Sequence, residues 1–159
     1  MPQTLKKPAI VLETVMLQPM TVLYIKDTTA IGKQNKTVQK DFDALLNFIS
    51  KHALKAGRIM AFYLNFQNPL LLEAAVEIDK LPAELTGNIN AKKTEGGLAI
   101  IAHYTGPYQK MGIAYNAITS MMDENKKLPK GLPFEVYIND AATIKNKQQL
   151  QTDIYQLLK

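Results

Sequence analysis

Apolar residues recur along this chain in two rhythms, one of period two and one near 3.6, and the changes between them mark the expected elements. Residues 8–12 and 14–26 are rich in β-formers and are interrupted at Pro19. Proline fits poorly in a central strand, so the stretch is expected to be one bent edge strand or two short strands about Pro19. Asp27 to Gly32 reads as a polar turn. Val38, Phe42, Leu45, Leu46 and Ile49 then share one face of a helix over 37–53, with Lys40, Asp41, Asp43 and Lys51 elsewhere on the wheel. Residues 58–66 and 71–78 read as strands on either side of an Asn68-Pro69 turn signal. Residues 81–97, with Pro82, Gly87, Asn88, Asn90, Gly96 and Gly97, read as a linker. Strand 98–104 follows, then an amphipathic helix over 111–125 and strands at 131–140 and 150–158.

The order is β-α-β-β, a linker, and β-α-β-β again, and the halves align residue by residue. Phe42 to Ile49 lies over Tyr115 to Met122, at an offset of 73 residues. Gly57, Phe62, Tyr63, Leu64 and Asn65 lie over Gly131, Val136, Tyr137, Ile138 and Asn139, at an offset of 74. The shared pattern predicts an α+β fold of two β-α-β-β modules related by a pseudo-twofold axis. It would have an antiparallel sheet, two main helices and a central ligand groove where the halves meet. The bounds expected are one domain over 1–159, with halves at about 14–80 and 98–159, the linker at about 81–97 and a flexible start at 1–8.

Within strand 131–140, alternation puts Phe134, Val136 and Ile138 on one face and Glu135, Tyr137 and Asn139 on the other. The repeat places Ala61 beneath Glu135, so the acid exists on one side of the pseudo-axis only. A ligand explains that asymmetry more easily than folding does. Two readings of Glu135 stand at this point. It is a solvated acid on an edge strand, or a carboxylate partly buried among tyrosine rings, where desolvation raises its pKa and a bound cation restores its charge.

Composition narrows the choice. A chain of 159 residues at 47% hydrophobic content can bury one full core and is short for two ordinary domains. The net charge of +5 comes mainly from lysine, Arg58 being the only arginine. Readers of phosphate and DNA lean on arginine forks, so this charge reads as solvation and no direct nucleic-acid partner is expected. Without cysteine there is no disulfide, thiolate metal site or cysteine nucleophile. With only His52 and His103, a metal site is not expected either. No uninterrupted apolar run approaches ~18 residues, so neither a membrane span nor a signal peptide is supported, and a cytoplasmic protein is expected. Phosphate-binding loops, dinucleotide fingerprints and nucleophile elbows are missing, so no cofactor is expected.

The segment Tyr104-Thr105-Gly106-Pro107-Tyr108, a helix, and then Gly131-Leu132-Pro133-Phe134-Glu135-Val136-Tyr137 resembles the GyrI-like effector-binding domain. That small-molecule module occurs alone or behind DNA-binding segments in bacterial AraC-type and MerR-type regulators. The resemblance runs from about Thr14 to the end. It implies a duplicated fold around an aromatic-lined groove. In members that bind lipophilic cations, a late-strand carboxylate lies at the bottom of the groove, and Glu135 holds the matching position. Tyr104 and Tyr137 fall at family aromatic positions, Tyr63 joins them through the repeat, and Tyr108 and Tyr155 complete the candidate ligand-binding set. Some stand-alone relatives are hydrolases of electrophilic natural products, which would make Glu135 and Tyr137 catalytic. Haem-binding proteins of a related fold raise His103 as an axial ligand. The chain departs from the family in having no tryptophan and no preceding helix-turn-helix. The resemblance therefore implies a stand-alone binding protein for small hydrophobic, cationic molecules, acting by sequestration or as a sensor for a separate regulatory protein. A small hydrolase using Glu135 and a gyrase-inhibitor-like interaction protein are the alternatives.

Overall fold

The computed structural model describes residues 9–159; the expected flexible start at 1–8 lies outside them. The described residues form strands β1 (Ala9–Leu17), β2 (Thr21–Thr29), β3 (Ala56–Tyr63), β4 (Leu70–Ile78), β5 (Asn90–Lys93), β6 (Gly97–Thr105), β7 (Phe134–Tyr137) and β8 (Gln151–Leu157). Helix α1 (Gln34–Lys51) follows β2, and α2 (Gly112–Glu124) follows β6 after a short 3-10 turn at Tyr108–Lys110. The strands make one antiparallel sheet in the order β1-β6-β8-β7-β3-β4-β2-β5. The expected modules are β2-α1-β3-β4 and β6-α2-β7-β8, and they meet where β3 pairs with β7.

Two strands depart from the expected plan. Pro19 separates two nine-residue strands, and β1 pairs with β6 of the other half. The expected linker contains β5, which pairs with β2 of the first half. Each half therefore lends its leading strand to the other. Asn90-Ala91-Lys92-Lys93 has no β-branched residue to announce a strand. Its conformation comes from the free edge of β2 and from burial of Ile89 and Ala91 against the first core cluster.

The exchange curls the sheet. β1 and β2 stand six strands apart, roughly 29 Å in a flat sheet at ~4.8 Å per strand. Residues 18–20 alone connect them, a reach of roughly 14 Å at most. Residues 94–96 join β5 to β6 under the same constraint. The two links run side by side and bond to each other, Thr94 N donating to Met20 O at 2.7 Å and Met20 N to Thr94 Oγ1 at 2.8 Å. A side chain at Gly96 would put its Cβ 2.6 Å from Leu17 O, so only glycine permits the crossing.

One sheet face carries Leu17, Met20, Val22, Met60, Phe134, Val136 and Tyr155 in a cluster of its own. On the other face α1 packs over β2, β3 and β4, and α2 over β1, β6 and β8. The strip over β7 stays open between them as a groove. Asp41, expected on the outer side of α1, is buried at 3% exposure, because Val38 and Leu45, three residues before it and four after, hold it on the inward stripe. Burial, with the neighbouring Asp27 carboxyl, pushes its pKa up to about 7, against the pull of the Lys40 ammonium. Ile138 also departs from expectation, at 52% exposure instead of sharing the buried face of Phe134 and Val136. The Asn139 side chain bonds Gln149 O and Gln151 N on the neighbouring segment, and the chain turns out of the ladder there.

Candidate functional site

Glu135 sits on the pseudo-axis itself. Its partner across the β3–β7 ladder is Ala61, the residue the repeat makes equivalent to it. The strand is central, so Glu135 is 6% exposed and the solvated edge-strand reading is excluded. Ala61 has a single methyl group, and that small side chain leaves the carboxylate room beside the axis.

The next residue on the same face of each central strand is a tyrosine. Tyr63 of β3 donates its hydroxyl to Glu135 Oε1 at 3.2 Å, and Tyr137 of β7 donates to the same oxygen at 2.7 Å. A third phenol, Tyr115 from α2, makes a short hydrogen bond to Oε2. Burial raises the Glu135 pKa, and the bonds from Tyr115, Tyr137 and Tyr63 oppose the rise. Burial and the Glu135 charge push all three phenols well above the usual tyrosine range, so they remain protonated donors. Tyr108 is pushed up to about 12 by burial, with the Glu135 and Asp140 charges adding to it.

Glu135 closes the floor of a cavity of about 330 Å³ whose walls include Tyr63, Phe66, Tyr108, Met111, Tyr115 and Tyr137. Phe66 stacks on Tyr63 at 5.4 Å between ring centroids, and Tyr108 meets Tyr137 edge-on at 6.1 Å. The surroundings are therefore largely aromatic side chains around one carboxylate. Such a wall attracts a cation through the ring quadrupoles, by about 0.5–2 kcal/mol per ring depending on exposure.

Of the tyrosines expected at the site, Tyr63, Tyr108 and Tyr137 converge on this cavity. Tyr104 does not line it: 1% exposed, it sits under α2 and donates its hydroxyl to Pro107 O at 2.6 Å, holding the turn that carries Tyr108. Tyr155 is a correction. It pairs with Phe134, which places it on the opposite face of the sheet, stacked on the Phe134 ring at 5.0 Å. Tyr115 went unread as a site residue, although its alignment with Phe42 marked a repeated aromatic position on the helix. His103 lies on the Tyr155 face, with Nδ1 2.8 Å from Asp153 and Nε2 2.9 Å from Glu13. Burial disfavours a charged ring, but the two carboxylates prevail and raise its pKa. Both ring nitrogens are engaged, which leaves neither for an axial bond to haem iron. No helix among the described residues is long and apolar enough to cross a membrane.

Solved structures share this fold at low identity. EcmrR in complex with DNA aligns with a TM-score of 0.78 at 15% identity, over 96% of this chain and 57% of the EcmrR chain. Its C-terminal domain alone aligns over 96% and 98% of the two chains, with a TM-score of 0.72 at 15% identity. A hydrolase from Listeria innocua aligns over 93% and 91% with a TM-score of 0.69 at 12% identity. SAV2435 bound to tetraphenylphosphonium aligns over 94% of each chain with a TM-score of 0.59 at 12% identity. At these identities the likeness is one of fold. None of the curated proteins matches the sequence. The sequence profile of the GyrI-like small molecule binding domain matches residues 12–159, and the chain belongs to that family.

Proposed function

We propose that the chain is a cytoplasmic binding protein for small, hydrophobic cations, and that Glu135 is their counter-ion. One observation carries the reading: a buried carboxylate, hydrogen-bonded by three phenols, on the floor of an aromatic cavity. In the empty cavity burial penalises the charged acid; a cation that enters favours it, and displaced water strengthens their attraction. The likeness to SAV2435, solved with tetraphenylphosphonium, supports the same ligand class. The ligand would be sequestered, or its presence passed on to a separate regulatory protein.

Thermal unfolding tests this. Tetraphenylphosphonium at 100 times its dissociation constant should stabilise the wild type by about 2.7 kcal/mol. The neutral triphenylphosphine oxide should stabilise it far less, and Glu135→Gln should respond to the two compounds alike. Equal shifts from cation and neutral analogue in the wild type would sink the reading.

A hydrolase is the second reading, favoured by Tyr115 and Glu135 forming a bonded acid and phenol at the cavity wall and by the Listeria innocua likeness. It requires turnover of an electrophilic ester or epoxide that stops in Glu135→Gln while binding persists.

A further inference from the structure

The duplication builds two chambers. Beside the Glu135 cavity lies a second one of about 130 Å³. Its walls are the pseudo-twofold counterparts of the first: Phe42 for Tyr115, Val38 for Met111, Tyr137 for Tyr63. Asn35 and Tyr108, themselves equivalent under the repeat, line both. The edge-to-face pair of Tyr108 and Tyr137 is the partition between the chambers.

The frame is repeated, but the chemistry is not. The second chamber has no acid at its floor, and the phenol that reaches Glu135 from α2 is answered on α1 by Phe42, whose ring meets Tyr137 edge-on at 5.9 Å. Its interior is hydrocarbon from Val38, Phe42, Leu46 and Ile59, while the polar Asn35, Gln39 and Asp140 are exposed at its rim. An apolar cavity of roughly 150 Å³ is large enough to hold benzene, so this one suits a phenyl ring or a short alkyl chain.

We propose that the second chamber takes an apolar arm of the same ligand. The compound recognised is then an amphiphilic cation, its flat charged head on Glu135 and its hydrocarbon arm passing Tyr108 and Tyr137. This inference rests on the cation reading of the Glu135 cavity.

Calorimetric titration with N-alkylpyridinium salts, ethyl to decyl and below micelle formation, tests it on the full chain. Affinity should rise about fourfold per methylene while the arm fills the chamber, then level off after roughly four to six carbons. Leu46→Phe and Ile59→Phe each fill the second chamber from a partly buried position. Both should bind N-ethylpyridinium as the wild type does and lose most of the gain with length; thermal unfolding checks that each variant folds. A gain that continues unbroken to decyl, or that both folded variants keep in full, overturns the inference. If N-ethylpyridinium binds through Glu135 and lengthening adds nothing, the two-chamber inference alone falls. If no homologue binds and Glu135→Gln changes nothing, the cation reading falls and takes this inference with it.

Discussion

Where α2 reaches the seam with Tyr115, α1 reaches the equivalent place with Phe42; where β7 carries Glu135, β3 carries Ala61; where α1 buries Asp41, α2 has Ala114. The backbone frame is the same in both halves, and a few side chains make one of them chemical. Tyr63 and Tyr137 are the exception that serves both, since each lies one step along its strand from the axis and both bond one carboxylate oxygen. The asymmetry at the axis itself has a physical cause. Ala61 and Glu135 are direct cross-strand partners. Acids at both positions would set two carboxyl groups side by side in a buried site, where they cannot both ionise.

Moving the acid across the axis tests this comparison most severely. Glu135→Ala should weaken tetraphenylphosphonium binding by at least about thirtyfold, or ~2 kcal/mol, the scale of a charge-assisted contact. Adding Ala61→Glu to that variant should restore part of the affinity, because Tyr63 and Tyr137 can serve an acid on either strand. No recovery in a folded double variant would show that the halves are less interchangeable than their frame.

Asp41, answered by Ala114 in the other half, sets the two halves apart in stability as well. Its pKa rises from the ordinary aspartate value to about 7 on folding, so the folded state binds more protons between those limits. Stability should therefore fall as pH rises from about 4 towards 7, then flatten. Asp41→Asn should remove that slope and be more stable than the wild type at pH 8, by about 1–3 kcal/mol. Urea unfolding at pH 5 and pH 8 measures it; parallel losses in both proteins would contradict the assignment.

Tyr115 and Phe42 give the smallest effect. Tyr115→Phe should weaken cation binding by about five- to tenfold, the ~1 kcal/mol worth of one ordinary hydrogen bond. Phe42→Tyr should leave it nearly unchanged, since Phe42 lines the chamber without the acid. Calorimetry on both variants distinguishes a specific donor from a general need for an aromatic ring.

Much of this was legible in the sequence, through two patterns. Strand alternation put Glu135 and Tyr137 on one face, and the repeat added Tyr63 and the missing acid at Ala61. What stayed hidden depended on pairing between distant segments. Tyr155 lies on the opposite face because Phe134 is its partner across β7 and β8, and a single strand's pattern carries no such register. Tyr115 looks like any half-buried helical aromatic until α2 is laid on the sheet. β5 exists because β2 offers a free edge, not because four residues favour a strand. Asp41 looked outward because a charged residue is expected in water, yet its place on the wheel belonged to the buried stripe.

On the proposed function, the charge on Glu135 and the presence of a cation favour each other. Carbon-13 NMR titration of the Glu135 side-chain carboxyl, without and with saturating tetraphenylphosphonium, measures that coupling at the atom concerned. The pKa should lie above the ordinary glutamate value in the free protein and drop clearly when the cation binds. A pKa that stays the same with the cation bound would contradict it.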